Sequence, residues 1–519
     1  MDLLRKGGAL FGAFALVAAS MMFALPVPAA SASVQVNGAG STWVAIALQA
    51  WAADVNARGL NINFNPVGST SGRVFYYTDQ VDFAASEIPF TPAYRDSTGT
   101  VITNEVQLAQ HRPYAYMPDV AGGTSFMYHL NGINQQLNLT PDAVAKLFTG
   151  VITNWDDPEI AKSNPGIKLP NLAVRPVVRS DGSGTSAQFT AFMASQTPSV
   201  YQAFCKKVNL NPCLPTSLYP ELPGQYAEVG SDGVANTVAA TYEDGAIGYV
   251  EYGYAKARGF PVASVLNHAG YYTQPTSFDV AVALQGATFN SDGTQNLQGV
   301  YTFDGTDAQY AYPVSSYSYL IVPTTTAAPM TTAKGGPMSE FIIYAVCAGQ
   351  QKSAQLGYSP LPQNLVKQAF AAVAKIPGHE AIPPLDQAHC ANPVIGQNWP
   401  LGAVKPPAPP SAKTIAAEKP PTDGQTSNQG GGSSPGASSQ TTAPSTGADP
   451  GASTDPGAST GTGNGSGNVQ VVGTQLAAAQ PIAIPRGSDD VTPIIIAIVV
   501  LLFLAIVFAP PALAIYLAR

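Results

Sequence analysis

Three segments of the chain share one design, a hydroxyl-rich glycine turn that opens into a helix. They are Gly38-Ala39-Gly40-Ser41-Thr42-Trp43, Gly68-Ser69-Thr70-Ser71-Gly72-Arg73 and Asp181-Gly182-Ser183-Gly184-Thr185-Ser186. The first turn of a helix leaves backbone N–H groups without partners and carries a partial positive charge. Glycine lets the main chain approach a ligand closely, and Ser or Thr adds hydroxyl donors. An oxyanion held where such turns converge would collect many hydrogen bonds at once. One turn of this kind is ordinary helix capping. Three in one chain carry more information, particularly with Arg179 two residues before Asp181. Arg179 offers a planar fork to an oxyanion and Asp181 can hold the guanidinium in place; the plainer reading of that pair is a surface salt bridge.

A carboxylate would choose between anions. Phosphate keeps a proton at neutral pH and sulfate does not, so a carboxylate accepts from the first and repels the second. The run Val81-Asp82-Phe83-Ala84-Ala85-Ser86-Glu87 supplies two candidates, Asp82 and Glu87. The plainer reading of either is a helix cap or a solvated charge.

The elements that must position these groups read as an α/β protein. Leu60 to Phe64 alternates with period two, as a strand does, and Val174 to Arg179 is a second strand candidate. Val44, Ala47, Leu48, Trp51 and Val55 recur at helical spacing, which predicts an amphipathic helix over Thr42 to Asn56; Ser186 to Met193 is another. Strand, glycine turn and helix in repetition is the grammar of that fold class.

Length and composition frame the whole. The chain has 519 residues, of which only 11% are charged, with 49 Gly, 45 Pro and a formal net charge of −8. That balance excludes the basic surface nucleic acid requires, but leaves room for an anion held by neutral donors. Arg5 and Lys6, an apolar stretch from Ala9 to Leu25 and then Ala30-Ser31-Ala32 make residues 1–32 a secretory signal. Residues 33–403 form the globular part. Residues 404–490 are Pro-, Gly-, Ser- and Thr-rich and read as a disordered tether with a span of roughly 50 Å. Residues 491–517 are apolar enough for a transmembrane anchor, with Asp489 and Asp490 before it and Arg519 after it placing the tail inside. Cys205, Cys213, Cys347 and Cys390 suit an exported chain with two disulfides. Of three possible pairings, proximity favours Cys205 with Cys213 and Cys347 with Cys390. No CxxC occurs and the five His are scattered, so neither a metal nor a cofactor is expected.

The blocks GAGSTW (38–43), VGSTSG (67–72), VDFAASE (81–87), the long Leu147–Pro170 run, RSDGSGTS (179–186), AIGYVEYGYAK (246–256) and YPVSSYSYLIVP (312–323) occur in one order. Over about residues 36–373 the chain resembles the high-affinity phosphate-binding proteins that serve ABC-type phosphate importers. The resemblance implies a two-lobed binding fold whose hinge is crossed twice, with phosphate held dehydrated between the lobes. One lobe would be about 34–116 plus 312–394, the other about 119–309. The implied ligands are Thr42 and Trp43 at the first helix start, Ser69 from the second turn with Ser71 as its alternative, and Arg179, Ser183, Gly184 and Thr185 from the second lobe. Asp181 would orient Arg179. Glu87 would accept the phosphate proton, where the family usually has Asp; the added methylene displaces the carboxylate by about one C–C bond. Permease and ATPase subunits of an importer are implied partners, since no transmembrane bundle or nucleotide-binding motif is present. The resulting expectation is an extracytoplasmic, membrane-anchored phosphate receptor and not an enzyme.

Two other readings remain. A display or adhesion protein on the same fold would use the tether and anchor equally well. A Ser-dependent phosphate-ester hydrolase is the second, but within residues 33–403 no GxSxG or HExxH occurs, the nearest being Gly68 to Gly72 with Thr70 at its centre. The Leu147–Pro170 block, packing or docking, and the stretch from Cys205 to Tyr226 have no assigned role.

Overall fold

The computed structural model describes residues 34–95 and 101–395. The predicted signal, tether and anchor lie outside them. Among the described residues no helix is long and apolar enough to cross a membrane.

The chain begins with β1 (Gln35–Gly40), α1 (Ala45–Asn56), β2 (Asn61–Pro66), α2 (Ser69–Tyr77) and β3 (Phe83–Ser86). β1 pairs parallel with both β2 and β3, which is the arrangement that right-handed helical crossovers impose. Val44, Ala47, Leu48, Trp51 and Val55 are all buried, as their spacing requires. α1 starts at Ala45 and not at Thr42, because the preceding turn folds on itself: Trp43 N–H donates to Ser41 Oγ at 3.0 Å.

A long strand, β4 (Tyr114–Tyr128), then carries the chain into the second half of the molecule. There β5 (Arg175–Arg179), α3 (Gly184–Gln196), β6 (Tyr226–Glu228), α4 (Gly230–Ala239) and β7 (Ala246–Glu251) follow. The chain returns along β8 (Ser315–Pro323) and ends its regular structure with α5 (Thr332–Val346) and the helix Gln363–Val373. The sheet order is β2-β1-β3-β8-β4-β7-β5-β6.

β4 is the seam between the lobes. From Tyr114 to Gly123 it pairs antiparallel with β8, and from Thr124 to Tyr128 with β7. β8 in turn pairs with β3, so two antiparallel strands pass between the halves in opposite directions. A bulge interrupts their register where Tyr317 faces Ala121 and Tyr319 faces Pro118. Such an extra residue bends a strand and re-aims its side chains. Gly122 lies in the same stretch, and a Cβ there would come within 2.7 Å of the Trp43 ring. The ring of a cleft residue thereby rests directly on the crossing strand.

Both disulfides join the partners that proximity favoured, Cys205 with Cys213 and Cys347 with Cys390. The Leu147–Pro170 block is packing: Leu147, Phe148, Ile152, Trp155 and Ile160 are buried, and the Trp155 indole donates to Gly245 O at 2.9 Å.

Asp279, in the short helix Ser277–Ala283, is buried with Oδ1 unpartnered. Burial pushes its carboxyl up to about 7, against hydrogen bonds from Thr276 and the Gln274 main chain that favour the ionised form. The folded state therefore holds a proton that the unfolded chain releases near pH 4, so stability falls as pH rises from about 4 to 7. In urea unfolding across that range the parent should lose roughly 2–4 kcal/mol more than Asp279→Asn. Identical pH slopes in the two proteins would exclude Asp279 as the source.

Candidate functional site

The second and third glycine turns meet across the lobes. Ser69, the first residue of α2, donates from Oγ to Glu87 Oε2 at 2.7 Å. The same hydroxyl accepts from the N–H of Gly184, the first residue of α3, at 3.0 Å. A donor relay thus runs from the second lobe through a first-lobe hydroxyl to a first-lobe carboxylate. Gly184 leaves room for this contact, since a Cβ there would displace the Glu87 carboxylate and the Ser69 hydroxyl. Backbone and ligand-like groups approach that closely only where the side chain is absent.

Glu87 is fully buried at the end of β3. Burial raises its carboxyl above the ordinary range, while the hydroxyls of Ser41, Ser69 and Ser318 oppose that by favouring the ionised form. Only the Ser69 bond has normal hydrogen-bond geometry; Oε1 is buried without such a partner, although Ser41 and Ser318 lie near enough to act on the charge. Ser318 reaches it from β8, at the bulge itself, between Tyr317 and Tyr319. The other sequence candidate, Asp82, is committed elsewhere. It accepts from Lys334 at 2.7 Å and from Asn37 N–H at 2.8 Å, tying β3 to α5 and β1.

Arg179 closes the end of β5. Its Nε and one terminal nitrogen donate to the two oxygens of Asp181 at 2.6 and 2.5 Å, and the guanidinium is 2% exposed. The pair is therefore a buried fork and not a solvated surface bridge. Asp181 also accepts from Gly230 N–H at 3.0 Å, which binds the turn to the start of α4. Ser183 caps α3, its hydroxyl accepting from Ser186 N–H at 3.1 Å. Thr185 is buried with Oγ1 unpartnered.

The first turn contributes at the side of this cluster. Thr42 Oγ1 lies 3.1 Å from Ser231 Oγ, and the Thr42 carbonyl accepts from Tyr254 OH at 2.5 Å, both across the cleft. Trp43 is buried, its indole N–H unpartnered and its carbonyl accepting from Tyr358 OH at 2.6 Å.

Of the residues picked from sequence, Ser69, Glu87 and Gly184 touch directly. Arg179 and Asp181 form one unit, and Asp181 lies against Gly68 of the second turn. Thr42 bonds to the second lobe through Ser231 and not to that cluster. Sequence reasoning missed Ser41, Ser318, Tyr254 and Tyr358, which hold the picked groups in place. It also missed Ser217, in the unassigned stretch after Cys205. The Ser217 carbonyl accepts from Ser183 N–H at 2.9 Å, and its hydroxyl from Thr70 Oγ1 of the other lobe at 3.2 Å. No motif marks it; only its position before the buried Tyr219 hints at an ordered segment.

Among the described residues no group of three or more His, Cys, Asp and Glu side chains is placed to hold a metal ion. The arrangement is one of neutral donors, one paired guanidinium and one buried carboxylate, suited to binding a proton-bearing oxyanion.

Comparison with known proteins identifies the family. The PBP superfamily domain matches residues 27–348. Phosphate-binding protein PstS of Xylella fastidiosa is 30% identical over 341 residues, 65% of this chain and 85% of that protein. Phosphate-binding protein PstS of Pasteurella multocida is 28% identical over 338 residues, 65% of this chain and 89% of that one. A solved structure of a phosphate-binding protein from Stenotrophomonas maltophilia aligns over 67% of this chain and 96% of its own at 18% identity, with a TM-score of 0.49. On the strength of the superfamily match and of a relative covered over most of its length, this two-lobed chain belongs to the phosphate-binding proteins of the PBP superfamily.

Proposed function

We propose that the chain is the extracytoplasmic receptor that binds inorganic phosphate between its lobes and delivers it to an ABC-type importer. It is a binding protein and not an enzyme. The observation that carries the reading is the relay from Gly184 N–H through Ser69 Oγ to the buried Glu87 carboxylate. It brings the second turn, the third turn and a proton acceptor to one place across the cleft.

Thr42, Trp43, Ser69, Arg179, Ser183, Gly184 and Thr185 would hold the anion, with Asp181 orienting Arg179. Several of these donors now bond one another, Trp43 N–H to Ser41 Oγ and Gly184 N–H to Ser69 Oγ among them. Phosphate oxygens would replace those internal acceptors with charged ones, which form stronger hydrogen bonds. Glu87 would take the proton of the anion. A dry site whose acceptor is an ionised carboxylate rejects an anion that has no proton to give.

Permease and ATPase subunits of the importer are the partners this reading requires. The tether at 404–490 and the anchor at 491–517 would keep the receptor over them at high local concentration. Removing residues 491–519 should release the protein from the membrane fraction; retention there would mean that something else anchors it.

Titration calorimetry of the full chain, stripped of bound anion, tests the reading near neutral pH. We expect one phosphate per chain and no uptake of sulfate; a folded protein that takes up neither would favour the display role. Glu87→Gln should cut the preference for phosphate over sulfate by about 10-fold or more. An unchanged ratio would remove Glu87 as the proton acceptor. Ser69→Ala loses one hydrogen bond to a charged ligand, about 1.5–3 kcal/mol, or roughly 10- to 100-fold in affinity. Parent-like affinity in that variant would take the second turn out of the site.

A further inference from the structure

Glu87 is held at both ends from the opposite lobe. Its carboxylate meets Gly184 and the Gly184-bonded hydroxyl of Ser69. Its main-chain carbonyl accepts two further hydrogen bonds, from Gln188 Nε2 at 2.7 Å and from Gln295 Nε2 at 2.7 Å. A carbonyl has two lone pairs, and both are used here by side chains of the second lobe. Gly184 and Gln188 are four residues apart on α3 and so share one face. One helix face therefore grips both the carboxylate and the carbonyl of a single residue.

Gln295 arrives separately. It belongs to the strand Gln295–Asn296, which pairs with Thr288–Phe289 and is followed by the short helix Gln298–Tyr301. That helix is fastened to α3: Ser195 Oγ donates to Gln298 Oε1 at 3.2 Å, and the Phe192 and Tyr301 rings lie 5.8 Å apart. Gln295 Oε1 is itself buried without a partner. Turning the amide over would place two oxygens face to face at the Glu87 carbonyl, so the observed orientation keeps one bond and leaves one acceptor unmet. A side chain that served only to fill space would not carry that cost.

We propose that Gln188 and Gln295 are positioning residues for Glu87, a two-amide clamp that sets its carboxylate in the closed cleft and thereby governs phosphate selectivity and release. The inference rests on the phosphate-binding reading above. Gln188 rides on the second lobe and its acceptor on the first, so that arm of the clamp needs the lobes together; the Gln295 hairpin also touches the first lobe, where Gln368 Nε2 donates to Gly293 O at 3.1 Å. Anchoring the Glu87 main chain fixes where its side chain ends.

The test compares the full chain with Gln188→Met/Gln295→Met, which keeps length and removes the donors, and with the single Gln295→Met should the double variant fold poorly. Three readouts are taken: phosphate dissociation by stopped flow, the phosphate-over-sulfate affinity ratio, and the Tm without anion. We expect dissociation about 10- to 100-fold faster in the double variant, several-fold faster in the single, and a selectivity ratio reduced about 10-fold. The Tm without anion should move little, because the clamp belongs to the closed form. Parent-like dissociation and ratio overturn the proposal. Faster release with an unchanged ratio also overturns it, since the amides would then close the lobes without positioning Glu87. A parent that binds no phosphate removes the underlying reading, and the clamp with it; a parent that binds beside an unaltered variant removes the clamp alone.

Discussion

A carboxylate buried without a cation beside it constrains everything around the cleft. Removing an ionised group from water costs several kcal/mol unless hydrogen bonds replace its hydration. Around Glu87 the replacement comes mainly from hydroxyls, Ser69 in direct contact and Ser41 and Ser318 nearby, with its own main-chain N–H adding to them. Each comes from a different element, so the first turn, the second turn and the returning strand must all be in register for the charge to be tolerated. The Arg179 guanidinium is paired with Asp181 and not with Glu87. A site built in this way has little surplus of positive charge, and it gains from any partner that brings its own proton.

The scaffold was legible in proportion to how local its signals are. Helical spacing from Val44 to Val55 found α1, starting three residues early, and alternation near Leu60 found β2 within two residues at its ends. Sequence proximity found both disulfides. β4 was not legible, because Pro118 and the Gly122-Gly123 pair interrupt any run that would announce a strand of fifteen residues. Those interruptions are what the bulge and the approach of the Trp43 ring require.

The site divides the same way. Its turns could be found from composition, since glycine and hydroxyl residues at a helix start have a local cause. The choice between Asp82 and Glu87 could not, because the two flank the same short apolar run. It is made by Lys334 and Asn37, which claim Asp82. Likewise Gln188 and Gln295 are unremarkable polar residues until folding brings them to one carbonyl. Residues that touch a ligand leave a trace in motif; those that hold them in place are defined only by distant neighbours.

The passage between lobes along β4 and β8 bears on how the molecule can move. A hinge of loop residues concentrates rotation in a few dihedral angles, and each of its end points has its own local minimum. A two-stranded ribbon instead spreads the same rotation over many peptide units, each departing slightly from its resting twist. Such an element behaves as a torsion spring with a single broad minimum. It stores no memory of open or closed, so the closed state has to be defined by what meets in the cleft.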